Sequence, residues 1–143
     1  MLGIIGAMEE EVAKLKENME DTEMKIIAGM EFNQGILRGT QAVVVRSGIC
    51  KVNAAMCSQI LADHYHVDAI INTGIAGSLR NEINIGDVVL STDALQHDVD
   101  ATAFDYVPGQ IPRVDVLSFP ADGKLIGLAE QCCQKVNPET SVF

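Results

Sequence analysis

Gly3-Ile4-Ile5-Gly6-Ala7-Met8-Glu9-Glu10-Glu11-Val12, GIIGAMEEEV, is the stretch on which the reading of this chain turns. Leu2 to Ile5 is an uninterrupted apolar run, the pattern of a short strand covered on both faces. Gly6 then permits a sharp bend. From Glu9 to about Asn18, Val12, Leu15 and Met19 recur at helical spacing. Strand, glycine turn and helix in that order open an α/β fold. Three carboxylates in a row at the first turn of a helix face the positive end of its macrodipole, worth about 0.3–1 kcal/mol each. One of them could also serve as a base. With Val12, Leu15 and Met19 marking the core side, the ~100° helical period sends Glu10 to solvent and sets Glu9 and Glu11 on opposite flanks of the core face. Periodicity does not choose between those two.

The same design recurs further along. RSGICKVNAA and INTGIAGSL each place a glycine turn after a β-like run. In open α/β sheets, ligands lie beyond the carboxyl ends of the strands, so three such turns are expected to converge on one pocket. None has the GxGxxG or GxxxxGK[ST] spacing of a dinucleotide or P-loop site. The rest of the chain reads as strands at Met24 to Ala28, Glu31 to Leu37 and Ala42 to Ser47, with turns at Gly29 and at Gly39-Thr40. A helix follows from Lys51 to about His64, then a buried strand from Asp68 to Asn72, a strand from Gly86 to Leu90 and a last helix from Ala121 to about Lys135. The strands between 31 and 47 read as antiparallel, which makes the sheet mixed. Residues 104–120 hold three of the four prolines in one long loop, and long loops in compact domains are often functional.

Composition narrows the function. The chain has 143 residues, 48% of them hydrophobic and 21% charged, a globular composition long enough for one domain with a real core. A net charge of −10 disfavours nucleic acid and anionic membranes as partners. No apolar run approaches the ~20 residues that cross a bilayer, and Leu2 begins a strand with no basic segment before it. A cytoplasmic protein is expected. Cys50, Cys57, Cys132 and Cys133 form no metal-type spacing and are expected as reduced thiols in the core. His64 and His66 close a helix at the surface. The chain stops at NPETSVF, where Ser141 to Phe143 reads as the start of a strand, so the domain over 1–143 is expected to be incomplete at its C-terminus.

Taken in order, IIGAMEEEV, SGICKVNAA, INTGIAGSL, GDVVLS and HDVDATAFDYVPGQIP resemble the 5′-methylthioadenosine/S-adenosylhomocysteine nucleosidases of the nucleoside phosphorylase superfamily, over essentially the whole chain. The resemblance implies a three-layer α/β/α sandwich around a mixed sheet, a homodimer, and hydrolysis of the bond between adenine and a thio-substituted ribose, a reaction of methionine salvage. It implies no metal or organic cofactor, and a small nucleoside thioether as ligand. Glu11 matches the carboxylate that positions and deprotonates the attacking water. Met8 matches a residue near the ribose, and Ile49 an apolar contact to sugar or base. Ile75, Ala76 and Gly77 match the turn that runs along the ligand. Phe104 and Pro112 match residues that reach across the dimer into the partner's alkylthio pocket. Ile75 departs from the small hydroxyl residue common at its position, which implies a different ligand fit.

Phosphorolytic members of the superfamily hold their anionic nucleophile with arginines. Here the first turn offers glutamates, and Asn72 stands where those relatives tend to carry arginine. Arg46 and Arg80 are near in sequence, so a phosphate-dependent phosphorylase remains a rival reading. A non-catalytic module that binds a nucleoside or another subunit is a second. The resemblance further implies that the acid protonating adenine, the ribose grip and the purine-reading backbone lie past residue 143, and that the short chain alone is nearly inert. Asp98 and Asp100, in HDVD, are expected to make a turn rather than to replace that acid.

Overall fold

The computed structural model describes residues 1–143. The chain divides into two compact units, Met1–Gly77 and Ser78–Phe143.

The first unit is built around β1 (Leu2–Gly6), which lies between β4 (Thr40–Arg46) and β5 (Ala69–Asn72) and is parallel to both. β2 (Met19–Ile27) and β3 (Met30–Leu37) extend the sheet on the β4 side as an antiparallel meander, giving the mixed order β2-β3-β4-β1-β5. Both hairpins turn on two residues with positive φ: Ala28 and Gly29 in one, Arg38 and Gly39 in the other. Such turns match the right-handed twist of the strands they join. The second turn is Arg38-Gly39 rather than Gly39-Thr40, because Thr40 already pairs with Leu37.

The period-2 alternation of strand side chains builds two separate cores. On one face Ile4 and Val44 pack with Val12 of α1 (Glu9–Glu17), joined by Leu2, Leu15, Met19 and Leu37. On the other face Ile5, Val43, Val45 and Phe32 pack with Cys57 and Leu61 of α2 (Lys51–Asp63) and with Tyr65. A helix, a mixed sheet and a second helix are the three layers expected from the sequence. Phe32 and Tyr65 stack with ring centroids 5.3 Å apart. Gly6 brings α1 close to the sheet: a Cβ there would meet Val12 Cγ1 at 2.6 Å and Glu11 Cβ at 3.0 Å.

Three further expectations need correction. β2 begins at Met19, not Met24. Its first half is acidic and exposed, and a register shift between Glu20 and Glu23 interrupts its pairing. Met19 therefore belongs to the strand, although it packs on the same cluster as α1. DAIIN is not buried: β5 is the edge of the sheet, with Ile70 and Ile71 both exposed. The cysteines do not share a core, since only Cys57 is buried while Cys50 and Cys132 are exposed.

The second unit has less regular structure. Gly86–Leu90 forms no full strand; Val88 makes an isolated parallel bridge to Val142. Val88 N–H donates to the Ser141 carbonyl, Leu90 N–H to Phe143, and Phe143 N–H back to Val88. The strand-like end of the chain thus pairs within its own unit. β6 (Asp93–Ala94) and β7 (Phe119–Pro120) form a two-residue antiparallel ladder. Between them, a 3₁₀ turn at Thr102–Phe104 and the loop to residue 120 are held by Gly109 N–H to the Val99 carbonyl and Arg113 N–H to the Tyr106 hydroxyl. α3 (Gly123–Val136) is capped by the Asp122 carboxylate, which accepts from Lys124 and Leu125 N–H at 2.8 and 3.1 Å. HDVD does make a turn, in which Asp100 accepts from the backbone and hydroxyl of Thr102. No helix in either unit is long and apolar enough to cross a membrane.

Candidate active site

Because β1, β4 and β5 are mutually parallel, their carboxyl ends, Gly6, Arg46 and Asn72, lie at the same edge of the sheet. The three glycine turns leave from there. Ser47 N–H donates to the Gly6 carbonyl and Thr73 N–H to the Ile5 carbonyl, both at 2.9 Å, which fastens the second and third turns to the end of β1. The convergence expected from the sequence is therefore produced by strand direction.

Glu11 sits in this junction, half-buried. Its Oε2 accepts from Ala7 N–H at 2.7 Å and Met8 N–H at 2.9 Å. These two bonds are helix capping: a glutamate at the third position reaches back to the orphan amides that precede the helix. Capping does not account for the third bond, in which Oε1 accepts from Ile75 N–H at 3.1 Å, 64 residues away. Hydrogen bonds to the charged form hold the Glu11 carboxyl below the ordinary glutamate range, with the Met8 and Ile75 amides the leading causes and partial desolvation opposing them. Glu11 is thus ionised at neutral pH. Oε2 thus accepts two bonds and Oε1 one, so the greater remaining acceptor capacity is on Oε1.

The other glutamates have different surroundings. Glu9 is exposed and takes Lys16 Nζ at 2.9 Å, with Arg46 Nε at 3.8 Å. Glu10 is exposed, as the helical period requires. Periodicity left Glu9 and Glu11 equivalent; the tertiary bond to Ile75 distinguishes them.

An open cleft of about 660 Å³ lies beside this junction, lined by Ala7, Met8, Glu9, Glu10, Gly29, Met30, Arg46, Ser47, Gly48, Ile49 and Asn53. Met8 and Ile49 both line it, whereas Glu11 and the 75–77 turn are not among its lining residues. Gly48 has φ +83 and Cys50, at the cap of α2, has φ +92, so this turn is held in a conformation that favours glycine. Asn53 donates to the Ile49 carbonyl at 2.7 Å and steadies it. Ile75, Ala76 and Gly77 follow the Glu11 contact and are exposed. The Ile75 side chain is 84% exposed; it is the backbone N–H at this position that serves Glu11, and any residue but proline supplies it. Phe104 and Pro112 belong to the second unit and are both exposed. A smaller depression between β2, β3 and β4 holds Asp21, Glu23 and Gln34 and none of the expected site residues. No cluster of three or more His, Cys, Asp or Glu is spaced to hold a metal.

Sequence reasoning passed over Gly74, Ser47, Asn53 and Met30. Ser47 and Asn53 were visible in the quoted turn, but nothing local marks a hydrogen bond to a neighbouring strand.

Residues 1–142 match the phosphorylase superfamily. A 5′-methylthioadenosine/S-adenosylhomocysteine nucleosidase of Bacillus cytotoxicus is 47% identical over 134 residues, covering 94% of this chain and 58% of the relative. Among solved structures, a nucleosidase of the same name from Colwellia psychrerythraea, in complex with adenine, superposes with a TM-score of 0.93 at 41% identity over 99% of this chain and 58% of its own. The Neisseria meningitidis nucleosidase, in complex with methylthio-immucillin-A, gives 0.93 at 38% identity, over 99% of this chain and 60% of its own. The chain thus spans about three-fifths of the length of these relatives. With the mixed sheet, the three converging turns and a match over residues 1–142, the chain belongs to the phosphorylase superfamily.

Proposed function

We propose that this chain carries the water-activating part of a nucleosidase that hydrolyses the N-glycosidic bond of 5′-methylthioadenosine and S-adenosylhomocysteine and releases adenine. The observation that carries the reading is the Glu11 carboxylate, ionised and bonded through Oε1 to Ile75 N–H, just past the end of β5. The names and bound ligands of the similar nucleosidases support the substrate class.

Cleavage of an N-glycosidic bond builds positive charge on the sugar, as in glycosidases. Water attacks the face opposite the departing base. A carboxylate that is ionised at neutral pH orients that water through Oε1 and accepts its proton as the C–O bond forms. Its low proton affinity suits a reaction in which bond breaking leads, because the water needs little activation until the cation has developed. Met8 and Ile49 give the cleft apolar contacts for the sugar or base, and the turn through Ile75, Ala76 and Gly77 runs along the ligand.

Water rather than phosphate is favoured by charge. Arg46 is the arginine of the cleft, and Glu9 and Glu10 line it too, so a dianion would meet more negative than positive charge. Asp100 is a poor candidate for the acid that protonates adenine, since its bonds from Thr102 hold its carboxyl below the usual range. We assign no residue of the chain to that step, and expect slow turnover by these 143 residues alone. Phe104 and Pro112, exposed in the second unit, suit a homodimer in which they enter the partner's alkylthio pocket. A cytoplasmic location and a place in methionine salvage complete the proposal.

The test is adenine release from 5′-methylthioadenosine by the mass-verified chain, phosphate omitted, beside Glu11→Gln. Release that the substitution abolishes supports the reading. Release that needs phosphate replaces it with phosphorolysis. Binding of the nucleoside in a calorimeter without any release favours a non-catalytic binding role.

A further inference from the structure

Gly74 stands immediately before the amide that reaches Glu11. A Cβ built on it would lie 2.8 Å from Glu11 Cδ and 3.2 Å from Oε2, with Oε1 nearer than either. Its three closest neighbours are all atoms of that one carboxyl group. Gly74 is not among the glycines with positive φ, so its backbone conformation does not call for glycine. Close approach does. Gly6 offers a contrast, because a Cβ there would strike chiefly Val12 and the stem of Glu11. Gly6 admits the helix; Gly74 admits the carboxylate.

We infer that Gly74 is a positioning residue for Glu11: its missing side chain leaves the notch in which Oε1 lies against Ile75 N–H. The inference rests on the proposed role of Glu11 as the group that holds and deprotonates water. An alanine at 74 forces either the carboxylate or the 73–75 turn to move, and both movements break the bond to Ile75. The carboxylate then keeps the capping bonds to Ala7 and Met8 but loses the donor that fixes Oε1. Removing a donor to the charged form raises proton affinity. Displacement of a reacting group by about 1 Å can cost about 100-fold in rate.

Two measurements on the 143-residue chain test this without depending on turnover. In a ¹³C titration of the Glu11 carboxyl, Gly74→Ala is expected to move the midpoint upward. Gly77→Ala, where an added Cβ meets nothing within 4 Å, is expected to leave the midpoint in place. In thermal unfolding, Gly74→Ala is expected to lower Tm in the parent chain and to lower it far less when Glu11→Ala is also present. An unshifted midpoint, or an equal loss in both backgrounds, overturns the inference. Should Gly74→Ala fail to fold, recovery of folding by Glu11→Ala supports it, and failure in both backgrounds overturns it. Adenine release is followed in parallel, with kcat expected to fall about 100-fold and KM to change much less. A Gly74-dependent carboxyl midpoint in a chain that shows no Glu11-dependent release would leave the placement of Glu11 standing, because the midpoint does not depend on turnover.

Discussion

Met1–Gly77 and Ser78–Phe143 are of similar length but of different construction. Every buried apolar residue of the chain lies in the first unit except Ala101. The first unit has a five-stranded sheet with a helix on each face, and its strands alternate inward residues between two clusters. The second has a two-residue ladder, a single bridge and a helix with no buried residue. Both contain many apolar residues. The difference is whether their spacing gives them a common face to bury, and burial of about 25 cal/mol per Å² is what offsets the entropy of ordering the chain. A site that needs angstrom placement is better held by the first kind of construction, and Glu11 is anchored there.

The contrast should be clearest in the core beneath α2. Phe32 is fully buried, stacked on Tyr65 and packed with Val43, Val45 and Leu61. Phe32→Ala is expected to cost about 3–5 kcal/mol, enough to remove much of the stability of a small domain. Urea unfolding with unchanged m-value reads it. A loss below about 1 kcal/mol would mean that the first unit does not depend on this core, and the comparison between the units would fail.

A smaller effect separates the Glu11 network from ordinary capping. The carboxyl titrates below its ordinary range in the folded chain, so its contribution to stability is present above the unfolded glutamate pKa. It is lost as pH falls through the lower folded value. Glu11→Gln is therefore expected to lower Tm most near neutral pH, with the gap closing as the pH is taken below the unfolded glutamate value. A gap independent of pH would show that the three N–H donors act on shape rather than on charge.

How much of this was legible follows from the same difference. β1, β4 and both their helices were readable because apolar runs, glycine turns and helical spacing agree over each segment. The hairpins were readable from glycine at their turns. The first half of β2 was not, because MEDTE has no alternation to mark and pairs through an irregular register. β5 reads as a buried strand and is an edge, since a run of apolar residues reports strand character but not how many neighbours the strand has. In the second unit Gly86–Leu90 has β-like residues, yet a strand exists only with a partner, and its partner here is a single bridge near the chain end. The glutamates show the limit most plainly. Helical period excluded Glu10, and the family resemblance named Glu11. The bond that distinguishes Glu11 from Glu9 comes from residue 75, which no local pattern encodes. Gly74 was passed over for the same reason: in the sequence it is one glycine of a turn, and its purpose is visible only when the carboxylate from α1 is beside it.

The smallest expected effect lies at the surface of the second unit. Leu79 and Ile85 are fully exposed, at 103% and 107% of their reference accessibility. A side chain that buries nothing has no transfer energy to lose, so Ile85→Ser is expected to change stability by no more than about 0.5 kcal/mol. The same substitution at Ile5, in the core of the first unit, would bury a hydroxyl and open a cavity at a cost of several kcal/mol. Parallel urea curves on Ile85→Ser and the parent chain read the difference. A loss of 2 kcal/mol or more, on the order of a full isoleucine burial, would show Ile85 covered in solution. The concentration dependence of the midpoint would then decide what covers it. A midpoint that rises with protein concentration would point to a second copy, because only association makes unfolding depend on concentration. A midpoint that does not would place the cover within the chain itself.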